Sequence, residues 1–184
     1  MDVGVVKPVE TGDGDAATLK ELAELPEAPE EIAGFSFSAA VAPLVAARLE
    51  GADLGLQETV GRVRELAGRH AFAVVEGAGG LLVPVGPGWT IADLALALGL
   101  PLLVVARAGL GTVNHTCLTV AHARRLGLEV HGVVLNGRAD ESTEANAELI
   151  ESFGHVGVLA QVPWLDGEIT PERLRRLELD LGLV

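Results

Sequence analysis

Cysteine is nearly absent from these 184 residues, with Cys117 standing alone, which excludes an internal disulfide and any cysteine-cluster metal site. By itself Cys117 reads as a small packing residue. Basic residues are scarce too: 13 against 26 acidic ones, for a formal net charge of -13. Such a surface repels nucleic acid and anionic membranes, so neither is an expected partner. It is either an ordinary solvated surface or one adapted to high salt, and composition fits both. Hydrophobic residues make up 49%, yet no apolar run reaches the roughly 18 residues that a membrane helix needs, because Gly, Pro or charge interrupts each one. Met1 is followed by neither a basic region nor a small-residue cleavage signal, so nothing marks the chain for secretion. The cytoplasm is the expected compartment.

What is present is alternation. Short β-branched runs are separated by longer amphipathic stretches, the pattern of parallel strands joined by crossover helices, so the expected class is α/β with helices on both faces of a parallel sheet. At this length a single domain, 1–184, is expected. Strands are predicted at Asp2 to Val6, Ala71 to Val75, Pro101 to Ala106, Val130 to Leu135 and Val156 to Ala160, all apolar as doubly covered strands are. Helices are predicted at Asp15 to Glu24, Pro43 to Glu50, Gln57 to Arg69, Ile91 to Leu98, Val113 to Leu126, Glu141 to Phe153 and Pro171 to Leu179. Gly99 and Gly127 each follow an apolar helical run, where a left-handed C′ residue is favoured. Leu25 to Phe37, rich in Pro, Glu and Ala without a clear period, reads as a connecting loop. No internal repeat is visible.

In open parallel sheets ligands sit beyond the carboxyl ends of the strands, so polar residues directly after apolar runs are the candidates. Lys7 follows Val3 to Val6, with Pro8 expected to fix a turn after it. Its ammonium suits a phosphate or carboxylate; otherwise it is a solvated strand-end lysine. The loop Thr11 to Gly14 then leads into Asp15, which is also the acid a helix N-terminus favours on dipole grounds. Glu76 follows Phe72 to Val75, where a carboxylate can hold Mg²⁺ directly or through water, and Gly77, Gly79 and Gly80 let backbone approach a ligand. The alternative is a tight strand-exit loop. Gly111, Thr112, Asn114 and His115 follow the Pro101 to Ala106 run and open a helix, placing free N–H groups where an anion is welcome, or simply capping that helix. Asn136 ends Val133 to Leu135 with an amide able to read a purine edge, unless Asn136-Gly137 is an ordinary turn. Trp164 in Pro163-Trp164-Leu165 either walls a base site or closes the core.

Taken together, Val6-Lys7-Pro8-Val9-Glu10-Thr11-Gly12, Val75-Glu76-Gly77-Ala78-Gly79-Gly80, Gly109 to His115 and Val162-Pro163-Trp164-Leu165 occur in the order and spacing of one family. The chain resembles the ATP-dependent dethiobiotin synthetases over nearly its whole length. The resemblance implies a P-loop-type fold and a reaction in which 7,8-diaminononanoate takes up CO₂ as a carbamate, ATP phosphorylates it, and the second amine closes the ureido ring. It implies that Lys7 is the active-site lysine and Thr11 a substrate contact, with Gly111 and Asn114 contributing to the substrate site. It further implies that Asp15 and Glu76 coordinate Mg²⁺, that Gly77, Ala78 and Gly79 line ATP, that Asn136 reads adenine, and that Pro163, Trp164 and Leu165 flank it. Members are homodimers whose substrate site is shared across the interface, where the resemblance implies that the Gly111 to His115 loop contributes, and a homodimer is expected.

The departures are as informative. The family begins with a strand and a glycine-rich loop ending Gly-Lys-Thr that cradles phosphates. No Gly-Lys-Ser or Gly-Lys-Thr occurs in these 184 residues, and only six residues precede Lys7. A strand, loop and helix need about 30 residues, so Met1 is expected to be an internal methionine of a longer reading frame, or the chain to have been trimmed. Ala42-Pro43-Leu44 stands where a Ser-Pro-His-like triplet is usual, and Gly137 where an acid often follows the asparagine. Two other readings stay open: a non-catalytic remnant that folds or dimerises without ATP turnover, and a related P-loop amidotransferase-like or partitioning ATPase. The paired Lys7-Pro8-Val9 and Glu76-Gly77-Ala78-Gly79-Gly80 segments speak against the latter.

Overall fold

The computed structural model describes residues 2–12, 14–177, 179 and 181–182. Its contacts divide it into two compact units, Met1–Leu98 and Gly99–Val184. In the first, the order is β1 (Val3–Thr11), α1 (Asp15–Leu22), α2 (Pro29–Ile32), β2 (Ala33–Phe37), α3 (Pro43–Leu49), α4 (Leu56–Ala67), β3 (Phe72–Val75), β4 (Pro84–Gly86), β5 (Trp89–Thr90) and α5 (Ile91–Leu98). Strands pair in parallel in the order β2-β1-β3, and β4 and β5 form a small antiparallel pair. The second unit alternates β6 (Leu102–Arg107), α6 (Thr112–Arg125), β7 (Val130–Asn136), α7 (Thr143–Gly154), β8 (Val158–Val162) and α8 (Pro171–Arg175). Its sheet is also parallel, in the order β6-β7-β8. The expected α/β class, parallel strands flanked by helices, is what the chain adopts.

Three expectations need correction. The stretch Leu25 to Phe37 is not a loop: it holds α2 and the strand β2. Pro29 opens that helix at a position where its missing N–H has no cost. Ala33, Phe35 and Phe37 alternate along β2, with Ala33 and Phe37 buried, a period of two hidden behind the acidic lead-in. Pro8 does not start a turn either; β1 runs through it to Thr11. Its last partner on β3 is the pair Val6↔Val75 and its first on β2 the pair Lys7↔Ala33. Pro8 therefore lies where β1 passes from one neighbour to the other, the place where a missing ladder donor disturbs least. The last helix, expected to reach Leu179, closes at Arg175; Glu178 lies outside the described residues.

The cores explain why these elements persist. Val9, Phe37, Ala46, Leu54, Val60, Val85, Trp89 and Leu94 form one buried cluster in the first unit, and the Trp89 indole N–H donates to the Leu54 carbonyl at 2.9 Å. In the second, Val120 of α6, Val133 and Leu135 of β7, Ile150 of α7 and Val156 pack together. Each such aliphatic side chain contributes about 1.5–3 kcal/mol by leaving water. Gly99 and Gly127 adopt φ of 71° and 86°, the left-handed geometry their positions after α5 and α6 suggested.

Candidate functional site

In the first unit the site grows from strand register. Val6 opposes Val75 across β1 and β3, so the next residue on each strand, Lys7 and Glu76, meet although 69 positions apart. The Lys7 ammonium donates to Glu76 Oε1 at 3.0 Å and to the Gly77 carbonyl at 3.3 Å, and lies 2.9 Å from Asp15 Oδ2. All three of its protons thus have acceptors. Lys7 is 4% exposed, whereas the Asp15 and Glu76 side chains are 54% and 48% exposed. Lys7 is therefore no solvated strand-end residue. Burial by itself pushes its pKa down, but the hydrogen bonds and charges of Asp15 and Glu76 outweigh that and hold it above the ordinary value. The group is a fixed cation at neutral pH, not a base.

Two carboxylates around one ammonium leave a surplus negative charge, and both keep oxygen surface toward solvent. That donor set suits Mg²⁺, which is content with one or two carboxylates when waters and phosphate oxygens supply the rest. It does not suit a metal needing a full protein cage: no group of three or more His, Cys, Asp or Glu side chains converges among the described residues. The loop after Glu76 packs tightly against its own neighbours. Gly79 has φ 71°, and a Cβ there would come within 2.8 Å of Val83; one on Gly77 would press on Ile91 at 3.2 Å. Ala78 lies between them, half-buried.

Thr11 ends β1 opposite Phe37, four residues beyond Lys7 and half-buried. After it Gly12, at φ 79°, donates its N–H to the Phe37 carbonyl. Asp13 lies outside the described residues. Gly14, at φ 102°, caps α1 with no side chain to offer. The acceptor comes instead from Glu10, a buried carboxylate in β1 that takes the Gly14 N–H at 2.9 Å and the Ala16 N–H at 3.2 Å. Sequence reasoning passed over Glu10; the available signal was a second charge three residues past Lys7 in the same strand.

In the second unit the three strand ends align: Arg107 opposes Asn136 and Asn136 opposes Val162. Beyond them lies a cavity of about 290 Å³ bounded by Arg107, Gly109, Leu110, Asn136, Arg138 and Asp140, among others. Asn136 is exposed at the end of β7, and Gly137 turns at φ 119°. Asp140, also missed from sequence, holds the rim: it accepts from Ser142 and, at 2.7 Å, from the Leu110 N–H. Those bonds, the Ser142 hydroxyl foremost, keep its carboxyl below the usual range. Pro163, Trp164 and Leu165 follow β8 directly. Trp164 is 51% exposed, so it does not close a core; its indole N–H donates to Asp166 at 2.9 Å. The Arg138 guanidinium lies 4.9 Å from the ring centroid. Gly111, at φ 91°, caps α6, and Asn114 is exposed on its first turn. His115 there accepts from Arg107 at 3.1 Å, since a guanidinium has no acceptor.

The structure thus brings Lys7, Asp15, Glu76 and Gly77 into one cluster, and Asn136, Arg138 and Trp164 to one strand-end rim. Against these geometries stand the relatives. A family model described as an AAA domain matches residues 1–172. The chain is 49% identical over 172 residues to the ATP-dependent dethiobiotin synthetase BioD of Anaeromyxobacter dehalogenans strain 2CP-1, covering 89% of this chain and 77% of that protein. It is 39% identical to the protein of that name from Bacillus licheniformis, covering 100% and 83%. To the one from Bacillus cereus strain G9842 it is 41% identical, covering 94% and 75%. Among solved structures it is similar to a ParA family ATPase from Chlorobium tepidum TLS, with a TM-score of 0.55 over 90% of this chain and 74% of that one. At 13% identity that likeness speaks to the fold alone, a parallel sheet flanked by helices of the P-loop NTPase kind.

Proposed function

The chain belongs to the family of ATP-dependent dethiobiotin synthetases, and from that premise we propose that its residues serve the ATP-dependent closure of the dethiobiotin ureido ring in biotin biosynthesis. The observation that carries the reading is the buried Lys7 ammonium held by Asp15, Glu76 and the Gly77 carbonyl.

In this reading 7,8-diaminononanoate and CO₂ form a carbamate beside Lys7 with Thr11 in contact, and Gly111 and Asn114 contribute to a substrate site shared across a homodimer interface. The γ-phosphoryl of ATP passes to a carbamate oxygen, the second amine attacks the activated carbonyl, and phosphate departs with the C–O bond. Phosphoryl transfer depends on positioning and on cations spread over the phosphate oxygens, and a permanently charged, immobile Lys7 supplies one. Asp15 and Glu76 would hold Mg²⁺, whose charge neutralises the phosphates of bound ATP. Gly77, Ala78 and Gly79 would let backbone lie against the nucleotide. Asn136 would read adenine by its amide, flanked by Pro163, Trp164 and Leu165. A cytoplasmic homodimer completes the proposal.

A second reading rests on one observation, the lack of any Gly-Lys-Ser or Gly-Lys-Thr in the 184 residues. Here the chain folds and binds substrate-like ligands without turning over ATP. Incubating the purified chain with diaminononanoate, bicarbonate, Mg²⁺ and ATP, and following dethiobiotin by mass spectrometry, separates the two. Product that requires ATP supports the first reading; ligand binding without product supports the second.

A further inference from the structure

We propose that Glu10 is a positioning residue that sets the Asp15 carboxylate against Lys7 by clamping the two peptide N–H groups on either side of it; the relevance of this to catalysis rests on the function proposed above. Glu10 is 7% exposed, and a buried carboxylate is expensive unless its oxygens are satisfied. The two oxygens are engaged separately, Oε1 accepting from Gly14 and Oε2 from Ala16. Those residues flank Asp15. No side chain at the helix start can do this, because the N-cap is Gly14. Its left-handed φ of 102° makes glycine the residue suited to that corner. The capping carboxylate therefore comes from the preceding strand, where the dipole of α1 also favours it.

The geometry gives the clamp a direction. Along a strand, residues three apart project to opposite faces, so Glu10 and Lys7 do not compete for the same space. Glu10 draws in the backbone on both sides of Asp15, and the Asp15 side chain is left to reach the ammonium at 2.9 Å. Asp15 itself is more than half exposed, so packing alone does not fix it. Without Glu10, the N–H groups of Gly14 and Ala16 lose their acceptor and the first turn of α1 loosens. Asp15 then leaves Lys7, and the carboxylate pair with Glu76 is no longer preset for a divalent cation.

Only two lysines occur in the chain, Lys7 and Lys20, so the Lys7 ammonium can be followed directly by ¹⁵N-lysine NMR. The test compares the full chain with Glu10→Ala, Glu10→Gln, Asp15→Asn and the Glu10→Ala/Asp15→Asn double variant, each checked for native circular dichroism. Hydrogen exchange of the Lys7 ammonium should accelerate about 10-fold in Glu10→Ala, the worth of one charge-assisted hydrogen bond. Asp15→Asn should match it, and the double variant should go no further. Glu10→Gln, which keeps one acceptor oxygen, should restore part of the protection. A folded Glu10→Ala with wild-type exchange, or effects that add in the double variant, overturns the proposal. A second arm measures Mn²⁺ affinity by electron paramagnetic resonance in the presence of ATP, where Glu10→Ala should weaken binding about 10-fold, as supporting residues around a metal do. Absence of Mn²⁺ binding by the wild type would count against the proposed function, while the NMR arm would still decide the role of Glu10.

Discussion

The ammonium of Lys7 and the carboxylate of Asp15 lie 2.9 Å apart although one side chain is 4% exposed and the other 54%. A buried cation is thus met by acids that face outward, and the pair with Glu76 closes a cluster with one negative charge to spare. Replacing Lys7 by Met should remove the cation while keeping the volume of its stem. Loss of a preset charge aimed at a transition state costs on the order of 10²–10³ in kcat, and dethiobiotin formation should fall by that much. The fold should lose only about 1–2 kcal/mol, because the abandoned carboxylates already touch water. Urea denaturation with an unchanged m-value would separate the two effects.

Alkali offers a second view of the same residue. Burial lowers the Lys7 pKa, the hydrogen bonds and charges of Asp15 and Glu76 raise it, and the raising wins over an ordinary value of 10.5. The folded state therefore binds its proton more tightly than the unfolded one. That stabilisation is complete below pH 10.5 and is lost as pH rises through the higher folded value. The chain has no tyrosine and a single cysteine, so few other groups confuse that range. Wild type should lose stability above pH 10.5 more steeply than Lys7→Met when urea midpoints are compared; parallel profiles would refute the ion cluster.

At the rim beyond β8, Trp164 is half-exposed and carries the Arg138 guanidinium over its ring. If a purine stacks there, Trp164→Ala should weaken ATP binding by about 10-fold, within the range measured for base–aromatic stacking. Fluorescence reads this cleanly: Trp89, the only other tryptophan, is buried with its N–H on Leu54 and should stay silent. A wild-type emission that ignores saturating ATP would sink this role for Trp164.

The Asp140 carboxylate ties Leu110 to Ser142 and Thr143 at the cavity rim. Its pKa is lowered by those donors, so its contribution is present above the ordinary value of 3.8 and disappears as pH falls through the lower folded value. Asp140→Asn should mimic that loss at neutral pH by giving up one acceptor oxygen. The expected result is a several-fold rise in the ATP dissociation constant with little change in melting temperature, measured by calorimetry on the same samples.

Much of the site could be read from sequence because its residues stand directly after β-branched runs. Lys7, Glu76 and Asn136 each directly follow an apolar run of the sequence, although β1 continues past Lys7 and β7 includes Asn136. What could not be read depends on closure of the chain. Lys7 is buried in a strand that lies between β2 and β3, the latter far along the chain. Glu10 and Asp140 act by accepting N–H groups from loops whose approach no local pattern encodes. The strand β2 was hidden for a different reason: its small residues Ala33 and Gly34 follow an acidic, proline-bearing stretch that has no period. Gly34 itself lies so close to Pro8 that a Cβ would come within 2.6 Å of the Pro8 carbonyl oxygen, a close approach that only the assembled sheet reveals.

The strand β6 carries the last prediction. It pairs with β7 on one side, and among the described residues no other strand pairs with it. Val105 in its middle is 63% exposed, and Leu118 on α6 is 62% exposed. An apolar strand with an unpaired edge is a template for association between copies. Its exposed side chain is also the place where a charge interferes least with the buried residues Val133 and Leu135 on β7. Val105→Lys should therefore reduce concentration-dependent light scattering of the purified chain while leaving its circular dichroism intact. A Val133→Lys control should instead unfold the second unit, because that side chain is fully buried and a lone charge has no partner there. Scattering that persists unchanged in Val105→Lys would place the association surface elsewhere than on β6.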